Sequence, residues 1–353
     1  MVDADLSEDL RGRVNAAVAA EAPLRIRGGG TRQALMACGN EAIEVLEVGG
    51  HRGIVAFEPS ELVVTARAGT PLSELEAAVT EAGQCLPFDP PRFGASSTIG
   101  GAVASGLAGP ARPWQGAVRD AVLGITLLDG RGGIGRFGGQ VMKNVAGYDV
   151  ARLNVGAMGS LGVLLDVSLR LLPRPMTTVT RVLELGIGQT FERMATLGRR
   201  PLPITAMAWQ GGLLRVRLAG SEVGVAAALA AVGGEPFAEA EDFWAGLRDR
   251  QLSLFEGDGP LWRLSVPATA PQPELSANWL LDWGGAQRWC STDAAPERVF
   301  EAASAVGGHA MRLAPTVQRA TLPPAQLKLQ QRIKTVFDPA GLFNAGVLYP
   351  GEY

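Results

Sequence analysis

The sequence is poor in the residues that most often build metal sites. Its two histidines, His51 and His309, cannot by themselves assemble a histidine-rich metal centre. Its three cysteines, Cys38, Cys85 and Cys290, are odd in number and far apart. They give neither a disulfide framework nor the clustered spacing of an iron–sulfur site, so a reducing, cytoplasmic compartment and three inert thiols are expected. No apolar run reaches the ~18 residues of a membrane span. The best, 223–232, is short and alanine-rich. The acidic opening Met1-Val2-Asp3-Ala4-Asp5 lacks the apolar core of a signal peptide. A net charge of −3 gives no electrostatic case for a nucleic-acid partner. Lysine is scarce as well: Lys143, Lys328 and Lys334 are the only ones, and each lies in a motif-like stretch.

What is present is a globular composition, 47% apolar and 19% charged, in a chain of 353 residues that can hold two or three domains. Glycines gather at the edges of strand-like runs. Residues 24–27 read as a short strand that enters Gly28-Gly29-Gly30-Thr31. Consecutive backbone N–H groups in such a turn suit an anion, with phosphate the natural guest. The run is neither GxGxxG nor a Walker loop. Further on come Ser97-Thr98-Ile99-Gly100-Gly101, Gly106, Lys143-Asn144-Val145-Ala146-Gly147-Tyr148-Asp149 and Gly159-Ser160-Leu161-Gly162-Val163. No acid/base cluster accompanies them. This is how a chain holds a large flat cofactor by close backbone approach.

Periodicity supplies the frame. A helix is expected over 6–21, with Leu10, Val14 and Val18 on one face, and strands over 42–48, 53–57 and 62–66. A helix follows over 72–82, with Thr70 as its N-cap and Pro71 at its first position. The runs 121–128 and 134–137 flank Asp129-Gly130 as a hairpin, and a strand over 163–172 stops at Pro173. Beyond 178 the character changes. Strands over 179–185, 213–218, 262–266 and 279–283 alternate with helices over 191–197, 223–232 and 296–306. This part holds Trp209, Trp244, Trp262, Trp279, Trp283 and Trp289, expected to fill a core or a subunit interface. A helix over 327–336 and a turn-rich stretch close the chain.

Arg27-Gly-Gly-Gly-Thr31, Thr98-Ile-Gly-Gly101, Lys143-Asn-Val-Ala-Gly-Tyr-Asp149, Gly159-Ser-Leu-Gly-Val163 and Phe337-Asp-Pro-Ala-Gly-Leu-Phe-Asn344 occur in order across nearly the whole chain. Together they resemble the FAD-binding family of vanillyl-alcohol oxidase and p-cresol methylhydroxylase. Within it, Gly106-Leu-Ala-Gly-Pro110, Arg112-Pro-Trp114 and Gly257-Asp-Gly-Pro-Leu-Trp-Arg-Leu-Ser-Val-Pro267 are similar to the FAD-binding subunits of bacterial glycolate oxidases. The resemblance implies an α+β fold. A two-lobed FAD-binding domain would span 1–175, with lobes over 1–88 and 89–175. An α+β cap domain over 176–320 and a C-terminal segment over 321–353, packing back on the FAD domain, would complete it.

The resemblance also implies a non-covalent FAD. Gly28, Gly29, Gly30 and Thr31 would hold the pyrophosphate, with Arg27 beside it. Ser97, Thr98, Gly100, Gly101 and Gly106 would line the ribityl chain and ring, and Gly159, Gly162 and Val163 would meet the adenosine half. Pro90, Asp120, Lys143, Asn144, Gly147, Tyr148 and Asn344 complete the expected cofactor-binding set. The implied role is that of the FAD-binding subunit of a multi-subunit oxidase that turns glycolate into glyoxylate. Its partners would be a larger FAD-containing subunit, which takes the hydride, and an iron–sulfur subunit. The place of the complex would be the cytoplasm, or the inner face of the cytoplasmic membrane as a peripheral assembly. Two alternatives stay open: a self-sufficient FAD-dependent 2-hydroxy-acid oxidoreductase, and a structural subunit with a vestigial flavin site. Gly257-Asp258-Gly259-Pro260 stands where relatives that oxidise α-hydroxy acids carry a histidine. The catalytic base is therefore unassigned, with His309, Tyr148 and Lys143 as the available candidates, and no metal is expected.

Overall fold

The computed structural model describes residues 3–36, 43–139 and 148–349. Two compact units emerge. The first comprises Met1–Leu107, Ala117–Arg174 and Thr321–Tyr353; the second comprises Ala108–Gly116 and Pro175–Ala320. The short segment Ala108–Gly116, expected in the FAD-binding domain, groups with the second unit. Its reason is local: Trp283 Nε1 donates to the Gly109 carbonyl at 3.0 Å, and the Arg112 guanidinium lies 4.4 Å from the centre of the Trp283 ring.

The first unit contains β1 (Leu24–Arg27), β2 (Glu44–Glu47), β3 (Ile54–Glu58), β4 (Val63–Arg67), β5 (Gln84–Cys85), β6 (Val122–Leu128), β7 (Ile134–Gly138), β8 (Val163–Arg170) and β9 (Leu172–Pro173). β1 and β2 pair in parallel. The main sheet is antiparallel in the order β3-β4-β8-β6-β7. β4 and β8 are buried on both faces, as their runs Val63-Val64-Thr65-Ala66 and Val163-Leu164-Leu165 require. This sheet crosses the lobe division expected near 88, because β4 pairs with β8 from Val63↔Arg170 to Arg67↔Asp166.

Two helices accompany the sheet, Leu72–Glu81 against β5 and Ile99–Ser105 against β8 and β4. Leu72–Glu81 begins after Pro71, and no side chain caps it. The expected cap, Thr70, is fully buried; its hydroxyl accepts from Gly53 N–H at 2.9 Å and donates to the Gly53 carbonyl at 3.1 Å. Tying two loops together has displaced capping there. Ile99–Ser105 follows the capping rule: the Thr98 hydroxyl accepts from Gly101 N–H at 3.2 Å. Gly100 N–H donates to the Ala68 carbonyl at 2.8 Å, so this helix starts against the end of β4.

His51 is buried completely and its Nδ1 accepts from Leu6 N–H at 3.0 Å. Burial lowers its pKa, against the opposing pull of Asp166 and Asp5. In the unfolded chain an imidazole titrates near pH ~6.5, so below that value the unfolded state binds the extra proton. Stability from this group is therefore intact above pH ~6.5 and declines as pH falls towards the folded value. The apparent melting temperature should drop between about pH 7 and about 5.5, and His51→Gln should reduce that slope. An unchanged slope in the variant would contradict the neutral, buried imidazole.

The second unit contains β10 (Thr177–Glu184), β11 (Ile204–Gln210), β12 (Leu213–Gly220), β13 (Glu235–Pro236), β14 (Leu261–Ser265), β15 (Asn278–Asp282), β16 (Gln287–Ser291), β17 (His309–Ala314) and β18 (Gln318–Arg319). They form one antiparallel sheet in the order β13-β10-β12-β11-β15-β16-β14-β17-β18. The helices Ile187–Gly198 and Glu222–Val232 bury Met194, Leu197, Val225 and Val232 against Leu214, Val216 and Leu218 of β12. The helix Pro296–Ala305 buries Val299 and Ala303 against Trp262 and Leu264 of β14. Trp262 is inaccessible and meets Phe300 edge-on at 5.4 Å, while Trp244 and Trp289 are also buried. Trp262 is thus a core residue of this unit.

Candidate functional site

The strand β1 leaves the sheet edge at Arg27 and delivers Gly28-Gly29-Gly30-Thr31 to the rim of a cleft. Among the described residues, nothing accepts from the N–H groups of Gly28, Gly29 or Gly30. Consecutive unpaired amides make an anion-binding concavity. Gly29 admits no side chain, since a Cβ there would lie 1.5 Å from the Ser96 carbonyl oxygen. Gly30 has φ +73°, and a Cβ would meet only Arg27 Cδ, at 3.8 Å.

Of the expected cofactor residues, Arg27, Gly28, Gly29, Gly30, Thr31, Thr98, Gly100, Gly101, Gly159, Gly162 and Asn344 line this cleft together. The guanidinium of Arg27 is held by Glu47, with Nε to Oε1 at 2.8 Å. Others take supporting positions outside the lining. Ser97 is buried and accepts from Arg32 at 2.7 Å. Pro90 is buried beside Pro91, whose carbonyl accepts from Arg32 at 2.6 Å. Gly106 ends the helix Ile99–Ser105 in a left-handed conformation, and Val163 is a core residue of β8 paired with Leu128. Asp120 accepts from Ala117 N–H at 2.9 Å, and Tyr148 is 94% exposed. Lys143, Asn144 and Gly147 lie outside the described residues.

Arg32 is the residue that sequence reading misses. It is buried, and besides its bonds to Ser97 and Pro91 it donates to Ser105 Oγ and Thr31 Oγ1, each at 3.1 Å. It ties the glycine loop to the helix below it and brings a positive charge to the cleft lining. The sequence offers only the adjacency of an arginine to Gly-Gly-Gly-Thr, which also fits an exposed charge.

The far wall is closed from the other end of the unit. Asn344 Oδ1 accepts from Ile26 N–H at 2.9 Å, and Nδ2 donates to the Met158 carbonyl at 2.6 Å. Its own loop is clamped by Lys334, in the helix Pro324–Phe337. Lys334 Nζ donates to the Ser160 carbonyl, the Phe343 carbonyl and Asp338 Oδ2, at 2.7, 2.7 and 2.6 Å. Asp338 in turn accepts from Leu342 and Phe343 N–H at 3.0 and 2.8 Å. Burial lowers the Lys334 pKa, opposed only in part by Asp338.

Of the candidate bases, His309 starts β17 in the second unit, and burial and then the Arg263 charge lower its pKa. Among the described residues, no group of three or more His, Cys, Asp or Glu could hold a metal, and no helix is long and apolar enough to cross a membrane.

Residues 2–138 match the model of an FAD binding domain. The chain is 43% identical over 349 residues to glycolate oxidase subunit GlcE of Escherichia coli, covering 98% of each protein. It is 34% identical over 158 residues to glycolate oxidase subunit GlcD of Bacillus subtilis, covering 45% of this chain and 33% of that one. An alkyldihydroxyacetonephosphate synthase structure superposes with a TM-score of 0.67 over 96% of this chain and 74% of its own, at 13% identity. That likeness concerns the fold, which is the α+β FAD-binding architecture expected from sequence. Identity sustained from end to end, with a free-amide glycine cradle in a matched FAD binding domain, places the chain in the family of glycolate oxidase subunit GlcE, a family of flavoprotein oxidoreductase subunits.

Proposed function

We propose that this chain is the FAD-carrying accessory subunit of a multi-subunit oxidase that converts glycolate to glyoxylate. The observation that carries the reading is 43% identity over 98% of the chain to a protein named as a glycolate oxidase subunit, and a glycine-lined cleft in the matched FAD binding domain supports it. Bound FAD would supply a two-electron redox carrier to the complex. The amides of Gly28, Gly29 and Gly30 would hold its pyrophosphate, and Arg32 below them would offset its charge. Thr98, Gly100 and Gly101 would allow close approach on one side, with Gly159 and Asn344 closing the other. Among the described residues no histidine or cysteine lines the cleft, which fits non-covalent retention.

Hydride abstraction from glycolate is assigned to a larger flavin subunit, and onward electron transfer to an iron–sulfur subunit. The test is a visible absorption spectrum of the purified chain, followed by anaerobic glycolate. Flavin bands that persist with glycolate and bleach only when the larger subunit is added are the expected result. Bleaching by glycolate in the isolated chain would replace this reading with a self-sufficient dehydrogenase. An assembled complex that holds no more flavin than the larger subunit alone would reduce the chain to a structural subunit.

A further inference from the structure

One face of the nine-stranded sheet carries charge that the flavin cleft does not explain. Cross-strand pairing sets Arg263 of β14 directly between Trp289 of β16 and Met311 of β17, and Met311 beside Arg319 of β18. Paired residues project from the same face, and neighbours along a strand from the opposite one. Trp262, Leu264, Cys290 and Ala310 pack on the helix Pro296–Ala305, so Arg263 and Trp289 face away from it. A third guanidinium, Arg112, stacks on Trp283 and is near enough to Arg263 to disfavour its charge.

The groups that act on Arg263 are all unfavourable to a cation. Burial first, then Arg319 and Arg112, push it down to about 10. Two donors in this row also end on nothing: Arg263 Nε and Trp289 Nε1 are buried, and no described residue accepts from either. Buried donors are nearly always paired, and a pair of orphans at adjacent register positions points to an acceptor from outside the chain. Met311 and Leu280, on either side in the same row, are buried and apolar, which suits an acid with a short carbon chain.

We propose that this face binds a small carboxylate, with the Arg263 guanidinium as its planar fork, Trp289 Nε1 as a further donor, and Arg319 and Arg112 as flanking positive charges. A guanidinium fork matches a carboxylate in two parallel hydrogen bonds. The ligand class, a 2-hydroxy or 2-oxo monocarboxylate, rests on the proposed function; the site itself does not.

Calorimetric titration of the FAD-loaded chain with glycolate, kept anaerobic, tests this without requiring turnover. Tryptophan fluorescence provides a second readout. Arg263→Gln should weaken glycolate roughly tenfold to a hundredfold, the usual effect of losing a charged hydrogen-bond donor. Trp289→Phe keeps the ring and should weaken it severalfold, which carries the test if Arg263→Gln folds poorly. Arg298→Gln, on the exposed side of the helix Pro296–Ala305, should bind as the wild type does. Undiminished binding in both site variants, or no binding of glycolate by the wild type, overturns the site. Inorganic phosphate competing as well as glycolate overturns the carboxylate class. Binding through Arg263 by a chain that joins no glycolate-oxidising complex would sink the proposed function and leave the site standing.

Discussion

Lys334→Met is expected to destabilise the first unit by about 3–5 kcal/mol, the range for removing one member of a buried ion pair. Lys334 and Asp338 are 7% and 0% exposed, so the carboxylate would lose its buried counter-charge and keep only its bonds from Leu342 and Phe343 N–H. Three acceptors lose their shared donor at once: the Asp338 carboxylate and the carbonyls of Ser160 and Phe343. An apparent melting temperature roughly 10 °C lower should follow, measured by scanning fluorimetry on the purified chain. The same change should loosen FAD, because the clamped loop sets Asn344 against Ile26 and Met158 in the cleft wall. A variant melting within about 2 °C of wild type would show that water replaces the ammonium without loss, and the clamp would then be incidental.

Gly30→Asp is expected to abolish FAD retention, and Gly30→Asn to preserve it. Both side chains tolerate the left-handed backbone found there and have nearly the same size, so the pair isolates charge. Space is not limiting, since the nearest atom to an added Cβ is 3.8 Å away. A carboxylate about 5 Å from a phosphate costs about 3 kcal/mol at an effective dielectric near 20, roughly a hundredfold in Kd. The ratio of flavin to protein absorbance after gel filtration reports the outcome. Equal retention by the two variants would remove the pyrophosphate from this loop. Gly29 cannot serve, because any substitution there collides with the Ser96 carbonyl and reports on folding instead.

Much of the cleft is legible in sequence because glycine is informative where backbone must approach a ligand. The run 28–30, the pair Gly100-Gly101 and the pair Gly159 and Gly162 all converge on one wall or the other. Side chains that support the cleft from behind are harder to read. Arg32 looks like a surface charge, and Ser97 and the Pro91 carbonyl act by holding it, with Pro90 buried beside them. Gly106 and Val163 are required by helix termination and core packing, which leave the same residue types in the sequence. In the second unit, β11 escapes periodicity because Ile204-Thr-Ala-Met-Ala is buried on both faces, and β16 because Gln287 and Arg288 are buried yet polar. Arg288 is accommodated by donating to the carbonyls of Gly285, Pro271 and Ala270.

The stitch between Ile26 and Asn344 has a consequence for the order of events during synthesis. The two halves of the cleft wall are separated in the chain by the whole of the second unit. A ribosome makes β1 and the glycine loop early, yet the residue that closes the wall emerges only after Ala320 has been passed. The nascent first unit therefore waits with an open cleft while the inserted unit folds, and contacts of such long sequence separation form late. Under the proposed site, FAD would be enclosed only after this closing segment has left the ribosome.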